Sequence, residues 1–229
     1  YNLTVQVSNM VGKKAETALN IHILDINDNI PHFEKLIFEG NISENAPIGS
    51  LILVNHTTPL VIKASDADSG LSALLLYEIL EEHAKKFFSI DSSTGAIRTI
   101  KSLDYEAQAF FEFNVRVSDM GKPRLSAETT ANVKIYVRDE NDSPPNFDNA
   151  VFTAMLLLPT FKNVSVMVVN ATDPDISVGS DLTFSITAGN DDGVFGIGAT
   201  SGRVFVQKPG QLGSLPQRSL NLAVSDGKF

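Results

Sequence analysis

Phe88-Ser-Ile-Asp-Ser-Ser-Thr-Gly-Ala-Ile97 returns 107 residues later as Phe195-Gly-Ile-Gly-Ala-Thr-Ser-Gly-Arg-Val204. Two further pairs share that register, Asp66-Ala-Asp68 with Asp173-Pro-Asp175 and Val117-Ser-Asp119 with Val224-Ser-Asp226. Three matches at one offset establish an internal repeat, and a repeat constrains the fold before any single residue does. The opening run Tyr1 to Asn9 matches Phe111 to Asp119 as a further, partial copy. The chain is therefore expected to divide into residues 1–29, the end of one unit with its linker; 30–143, a complete unit with its linker; and 144–229, a unit lacking its last strand.

Inside each unit the apolar residues recur with period two: Leu3, Val5 and Val7; Leu19, Ile21 and Ile23; Phe113, Val115 and Val117; Val133, Ile135 and Val137; Leu220, Leu222 and Val224. Such alternation predicts half-buried strands. Turn signals separate them, as at Ser93 to Gly95 and Met120 to Pro123. Only Tyr77 to Lys86 could be helical, as a short helix or turn. Short strands in units of about 110 residues, without helix-period segments, indicate an all-β fold of antiparallel, Ig-like sandwiches in tandem.

The composition narrows the function. Of 229 residues 43% are apolar, enough to fill such cores, and the net charge of −9 disfavours nucleic acid and anionic lipid while favouring cations. With no cysteine, a disulfide framework, a thiolate zinc site and a cysteine nucleophile are excluded. Apolar runs such as Ala154 to Leu158 fall far short of the ~20 residues of a membrane helix. Tyr1 opens inside an alternating run and Phe229 closely follows another, so the sequence is expected to be part of a longer chain. His22, His32, His56 and His83 show no i, i+4 pairing and read as surface residues. Neither a Gly-x-Ser-x-Gly elbow nor a phosphate loop is present, and carboxylate pairs such as Glu81 and Glu82 read as solvated turns, so no enzyme is expected.

Between the units lie Asp25-Ile-Asn27-Asp28-Asn29-Ile-Pro31 and Asp139-Glu140-Asn141-Asp142-Ser143-Pro144. A single such cluster is ordinarily a solvated turn. Two copies at homologous places, each followed by Asp-x-Asp and Ser-Asp, point instead to a hard cation, because calcium takes six to eight oxygen ligands from carboxylates, amides and carbonyls. Asp66 to Gly70 is not an EF-hand loop, since Gly70 falls fifth and Tyr77 twelfth where that loop requires Gly sixth and an acid twelfth.

The linker pattern Asp-x-Asn-Asp-Asn-x-Pro, complete at Asp25 to Pro31, resembles that of tandem cadherin repeats, and the resemblance extends over essentially all 229 residues. The absence of cysteine is similar to the large atypical cadherins, of the Fat and Dachsous or protocadherin kind. The resemblance implies Greek-key sandwiches and calcium, usually three ions, at each linker. For the second linker it implies ligands from Glu44, Asp104, Glu106, Asp139, Asn141, Asp142, Asp173, Asp175 and Asp226, with Glu140 and Ser143 contributing carbonyls. For the first it implies Asp25, Asn27, Asp28, Asn29, Asp66, Asp68 and Asp119, an incomplete set whose remaining acids would lie before Tyr1. Ser143 replaces the last linker Asn, which a backbone ligand tolerates.

The third unit departs from this pattern. Between Phe147 and Asp173 its only acid is Asp148, so Leu157 or Leu158 stands where Glu44 would be, and Gln211 and Gly213 replace Asp104 and Glu106. Fewer ions and a flexible point are expected at the linker that would follow. Asn2, Asn41, Asn55, Asn141, Asn163 and Asn170 match the Asn-x-Ser/Thr acceptor pattern, which fits an extracellular setting, although ligation should keep Asn141 unmodified. The absence of Trp leaves no Trp-bearing strand to exchange. These features lead to a calcium-rigidified extracellular segment of a cell-surface receptor, anchored to the membrane elsewhere and partnered by other cadherin ectodomains, homophilic or heterophilic. The alternative is a calcium-dependent carbohydrate-binding or surface-spacer sandwich, against which stands the lack of an aromatic platform beyond Tyr1, Tyr77, Tyr105 and Tyr136.

Overall fold

The strand Phe110–Ser118 alternates bulky apolar with polar residues, and it buries Phe111, Phe113, Val115 and Val117 to 2% exposure or less while Glu112 and Arg116 face water. Ala131–Arg138 repeats the alternation with Ala131, Val133 and Ile135 at 0%. Both lie inside a four-stranded sheet ordered Ile37–Ser43, Ala131–Arg138, Phe110–Ser118, Leu76–Ile79. A computed structural model describes residues 1–175, 181–213 and 217–229. It divides into two compact units, one of residues 1–41, 47–101 and 111–135, the other of 42–46, 102–110 and 136–229.

In the first unit the sheet face closes over Phe38, Ile52, Leu60, Ile62, Phe88 and Ile97, each at 1% exposure or less. The ring of Phe88 meets Phe111 edge-on at 5.0 Å and stacks on Phe113 at 5.8 Å. Burying each such side chain is worth about 1.5–3 kcal/mol over leaving it exposed. Of the stretch Tyr77 to Lys86, Leu76–Ile79 is strand and only Glu82–Lys85 is helical, a single turn. Glu81, placed to cap that turn, instead accepts the N–H of Asn114 at 2.7 Å and its side-chain amide at 2.8 Å, so the turn has no side-chain cap. The expectation of half-buried strands fails at the start of the chain. Asn2–Ser8 and Lys14–Asn20 pair as a hairpin whose every residue is exposed, and 21–23 are not strand. No described residue covers the apolar side of that ribbon.

The second unit has a core of Val169, Phe184, Val194, Phe195, Val204 and Val206. Around it stand a sheet ordered Ser165–Val168, Arg203–Val206, Phe195–Ile197 and the pair Thr183–Ala188 with Asn221–Ser225. The sequence repeat reappears as identical pairing. Phe88 opposes Thr99 and Ile90 opposes Ile97, as Phe195 opposes Val206 and Ile197 opposes Val204. Tyr77 opposes Val117, as Phe184 opposes Val224. Phe33 pairs with Ala64, and Phe147 with Ala171, which leaves the later copy seven residues shorter between those two positions. That shortening falls in the stretch that carries Glu44 in the earlier copy.

Candidate metal centres

The second linker cluster is assembled from three sources within the second unit: residues 42–46, 102–110 and everything from 136 onward. Glu44, 5% exposed, is held by two backbone donors, since its carboxylate accepts the N–H of Tyr105 at 2.5 Å and of Glu140 at 2.8 Å. The Glu140 carboxylate is itself engaged by the Ser43 hydroxyl at 2.8 Å. Ser143 donates its N–H to Asp175 at 2.9 Å, and Asp175 donates its own to Asp173 at 3.0 Å.

These contacts orient the acids without satisfying them. The ligand oxygens of Glu44, Glu106 and Asp139 lie within 4.8 Å of one another, as do those of Glu106, Asp142 and Asp175. Glu106 belongs to both groups. Among the described residues, the buried oxygens of Asn141 (Oδ1), Asp173 (Oδ2), Asp175 (Oδ1) and Asp226 (Oδ2) have no hydrogen-bond partner. Asp175 is 0% exposed. Leaving a buried polar atom unmade is costly, by about 1–3 kcal/mol and more for a charged group. The Glu106 carboxyl is pushed up to about 7, by desolvation first and then by the carboxylates of Glu44 and Asp175. Asp226 is held below the usual carboxylate range, chiefly by the N–H of Phe229 on Oδ1 at 2.7 Å. An all-oxygen donor set with unpaired buried lone pairs fits a hard cation such as calcium and offers nothing to a soft one.

The first linker cluster lies within the first unit and repeats part of this wiring. Asn29 donates its N–H to Asp68 at 3.2 Å, and Asp68 donates its own to Asp66 at 2.9 Å, the counterparts of the Ser143, Asp175 and Asp173 contacts. Asn27, 9% exposed, donates Nδ2 to the 0%-exposed Asp119 at 3.0 Å. Among the described residues, Asn27 Oδ1 and Asp66 Oδ2 are buried without partners. Among the described residues no three carboxylates gather there as they do at the second cluster. Asp25 lines an open hollow with Asp28 and Ser69. Asp28 accepts the Asn29 side-chain amide at 2.9 Å.

Not every expected ligand joins the second group. Asp104, Asp173 and Asp226 lie outside both close carboxylate groups, and Asp104, exposed like Glu106 and Asp142, accepts the N–H of Ala107 at 3.0 Å. In the third copy Leu157 and Leu158 are exposed, at 85% and 63%. One contact has no sequence signal at all: Lys228 donates its ammonium to the backbone carbonyl of Asn141, 87 residues earlier.

Antiparallel sheets in Ig-sized copies, joined by acidic linkers wired to Asp-x-Asp turns, define an all-β repeat protein. The Cadherin domain family matches residues 38–136. The chain is a run of tandem cadherin repeats, and it resembles the ectodomain of a large atypical cadherin. It is 47% identical to human Protocadherin Fat 1 over 229 residues, all of this chain and 5% of that protein. It is 41% identical to the Drosophila melanogaster Fat-like cadherin-related tumor suppressor homolog over 234 residues, again all of this chain and 5% of that protein. Among solved structures, mouse Protocadherin-24 EC1-3 superposes with a TM-score of 0.73 at 26% identity, over 90% of this chain and 65% of that one. The chain thus spans about one twentieth of the length of the curated relatives it matches.

Proposed function

We propose that this segment is a calcium-stiffened part of the extracellular region of a cell-surface adhesion or signalling receptor. The observation that carries the reading is the set of buried, unpartnered oxygens on Asn141, Asp173, Asp175 and Asp226, beside carboxylates grouped within 4.8 Å around Glu106. Glu44, Glu106, Asp139, Asp142, Asp173, Asp175 and Asp226 hold the ions through carboxylates, Asn141 through its amide oxygen, and Glu140 and Ser143 through carbonyls. Asp104 joins them if its loop turns inward on binding. A partial set of Asp25, Asn27, Asp28, Asn29, Asp66, Asp68 and Asp119 serves the first linker. Bound calcium offsets the mutual repulsion of the acids, which at 4 Å amounts to roughly 1–4 kcal/mol per pair between water and protein-surface screening. Neutralised linkers hold successive repeats in line, so that binding surfaces are presented at a fixed reach from a membrane anchored elsewhere in the protein. The partners consistent with this role are other cadherin ectodomains, of the same or a different kind.

The test is calorimetric titration of the chelator-treated protein with calcium, with small-angle scattering before and after. Saturable binding of more than one ion together with a lengthened, less variable particle supports the reading. Absence of binding at about 1 mM, near the weak end of extracellular calcium modules, overturns it.

A further inference from the structure

Six asparagines match the glycan acceptor pattern, and the calcium reading makes use of one of them, Asn141. Two of the others, Asn41 and Asn55, belong to neighbouring segments of the first unit, and the structure treats them in opposite ways. Asn41 sits half-buried in the strand Ile37–Ser43, with its backbone bridged to Leu53. Its side-chain Nδ2 donates to the carbonyl of Val54 at 3.4 Å, and the hydroxyl two residues on, Ser43, is committed to Glu140 at 2.8 Å. Both groups of that acceptor pattern have hydrogen-bond partners, Asn41 through a long, exposed contact and Ser43 through a shorter, part-buried one.

Asn55 lies in the exposed bend 54–57. Its Oδ1 turns back onto the chain and accepts the N–H of Thr57 at 3.1 Å, the hydroxyl of Thr57 at 3.5 Å and the N–H of Thr58 at 2.9 Å. An amide whose oxygen is fixed by such a local turn directs its nitrogen the other way, here into solvent. The same three contacts bring the Thr57 hydroxyl, the second element of the acceptor pattern, up to the amide it accompanies. Nothing in the fold has to move for a large polar group to hang from Nδ2, and Val54 beside it is 48% exposed, free to be covered.

We infer that Asn55 is an N-glycosylation site of this protein and that Asn41 is not. Nδ2 of Asn55 forms a bond to the anomeric carbon of an oligosaccharide carried on a polyprenyl diphosphate. The bond from that carbon to the diphosphate oxygen breaks, the diphosphate leaves with the electron pair, and Nδ2 gives up one proton. The glycan covers the exposed bend 54–57 and excludes partners from it.

The experiment is peptide mapping of the protein secreted from a eukaryotic host, with cleavage after glutamate so that Glu44 separates the two asparagines. The expected result is a glycopeptide containing Asn55, converted to Asp by enzymatic deglycosylation, and an unmodified Asn41. Asn55→Gln and Thr57→Ala each remove one glycan from the intact mass, whereas Asn41→Gln leaves that mass unchanged apart from the substitution. Because the unsubstituted protein is read first, the outcome does not depend on any variant folding. Secreted protein with an unmodified Asn55, or with glycan on Asn41, overturns the inference.

Discussion

A Cβ on Gly95 would stand 2.2 Å from the carbonyl oxygen of Ile62, whose own N–H donates to the Gly95 carbonyl at 2.9 Å. Gly202 and Val169 reproduce both facts, at 2.1 Å and 3.0 Å. The two glycines have φ of 72° and 61°, a region that other residues adopt at a cost. Gly95→Ala and Gly202→Ala are therefore expected to destabilise their units by about 1–3 kcal/mol each, from strain plus displacement of a paired strand. Urea unfolding of each variant in saturating calcium measures the loss, and a change below about 0.5 kcal/mol at either position would show that the turn relaxes freely.

Asp142→Ala should reduce the calcium dependence of melting. For Kd values of about 10⁻⁴ to 10⁻³ M, each ion at about 1 mM contributes about 0.4–1.4 kcal/mol. Asp142 is exposed and, among the described residues, its side chain accepts only the Ser143 hydroxyl at 3.4 Å, so its removal disturbs the fold little. Paired melts with calcium and with chelator separate the two effects. An unchanged difference between them removes Asp142 from the ligand set.

Acid should weaken the first unit at a defined turn. Asp91 is lowered to about 2, first by the N–H of Thr94 on its carboxylate at 2.8 Å and then by the Ser93 hydroxyl at 2.8 Å. Because the folded value is depressed from 3.8, its stabilisation is present above about pH 4 and is lost as pH falls toward 2. Asp91→Ala is expected to lower the thermal midpoint at pH 7 and to matter less near pH 2. The later copy has Gly198 at this position and lacks the effect.

Asn141 should carry no glycan despite its acceptor pattern. Its Oδ1 is buried and its carbonyl receives Lys228, so a sugar on its nitrogen would expel the side chain from the cluster. Glycopeptide mapping of folded, secreted protein reads this directly, and an occupied Asn141 would separate it from the ligands.

Most of the fold was legible because its determinants are local. Alternation along Phe110 to Ser118 and a glycine in the turn at Gly95 are written in adjacent residues, and the 107-residue offset became the register of Phe88 with Thr99 and Phe195 with Val206. The acids were legible as types, but their grouping was not. Spacing alone does not separate Glu106, shared by two carboxylate groups, from Asp104, two residues away and turned onto Ala107. The exposure of Leu3, Val5 and Leu19, at 47%, 47% and 45%, was hidden because periodicity reports which face is apolar and not what lies against it. The reach of Lys228 to Asn141 depends on a long flexible side chain and has no periodic trace.

The sharing of Glu106 between two groups bears on how the protein responds to a changing environment. A first ion drawn to either group takes up the charge of the one carboxylate both require, fixes its rotamer and displaces any proton it holds. The second ion then finds that residue ordered and ionised. Occupancy of the pair is expected to rise over a narrower span of calcium than two independent sites would give, with a Hill coefficient above one that falls to one in Glu106→Gln. On the proposed calcium reading, such a segment is expected to act as a threshold element, its occupancy changing over a narrow range of ion concentration rather than in proportion to it.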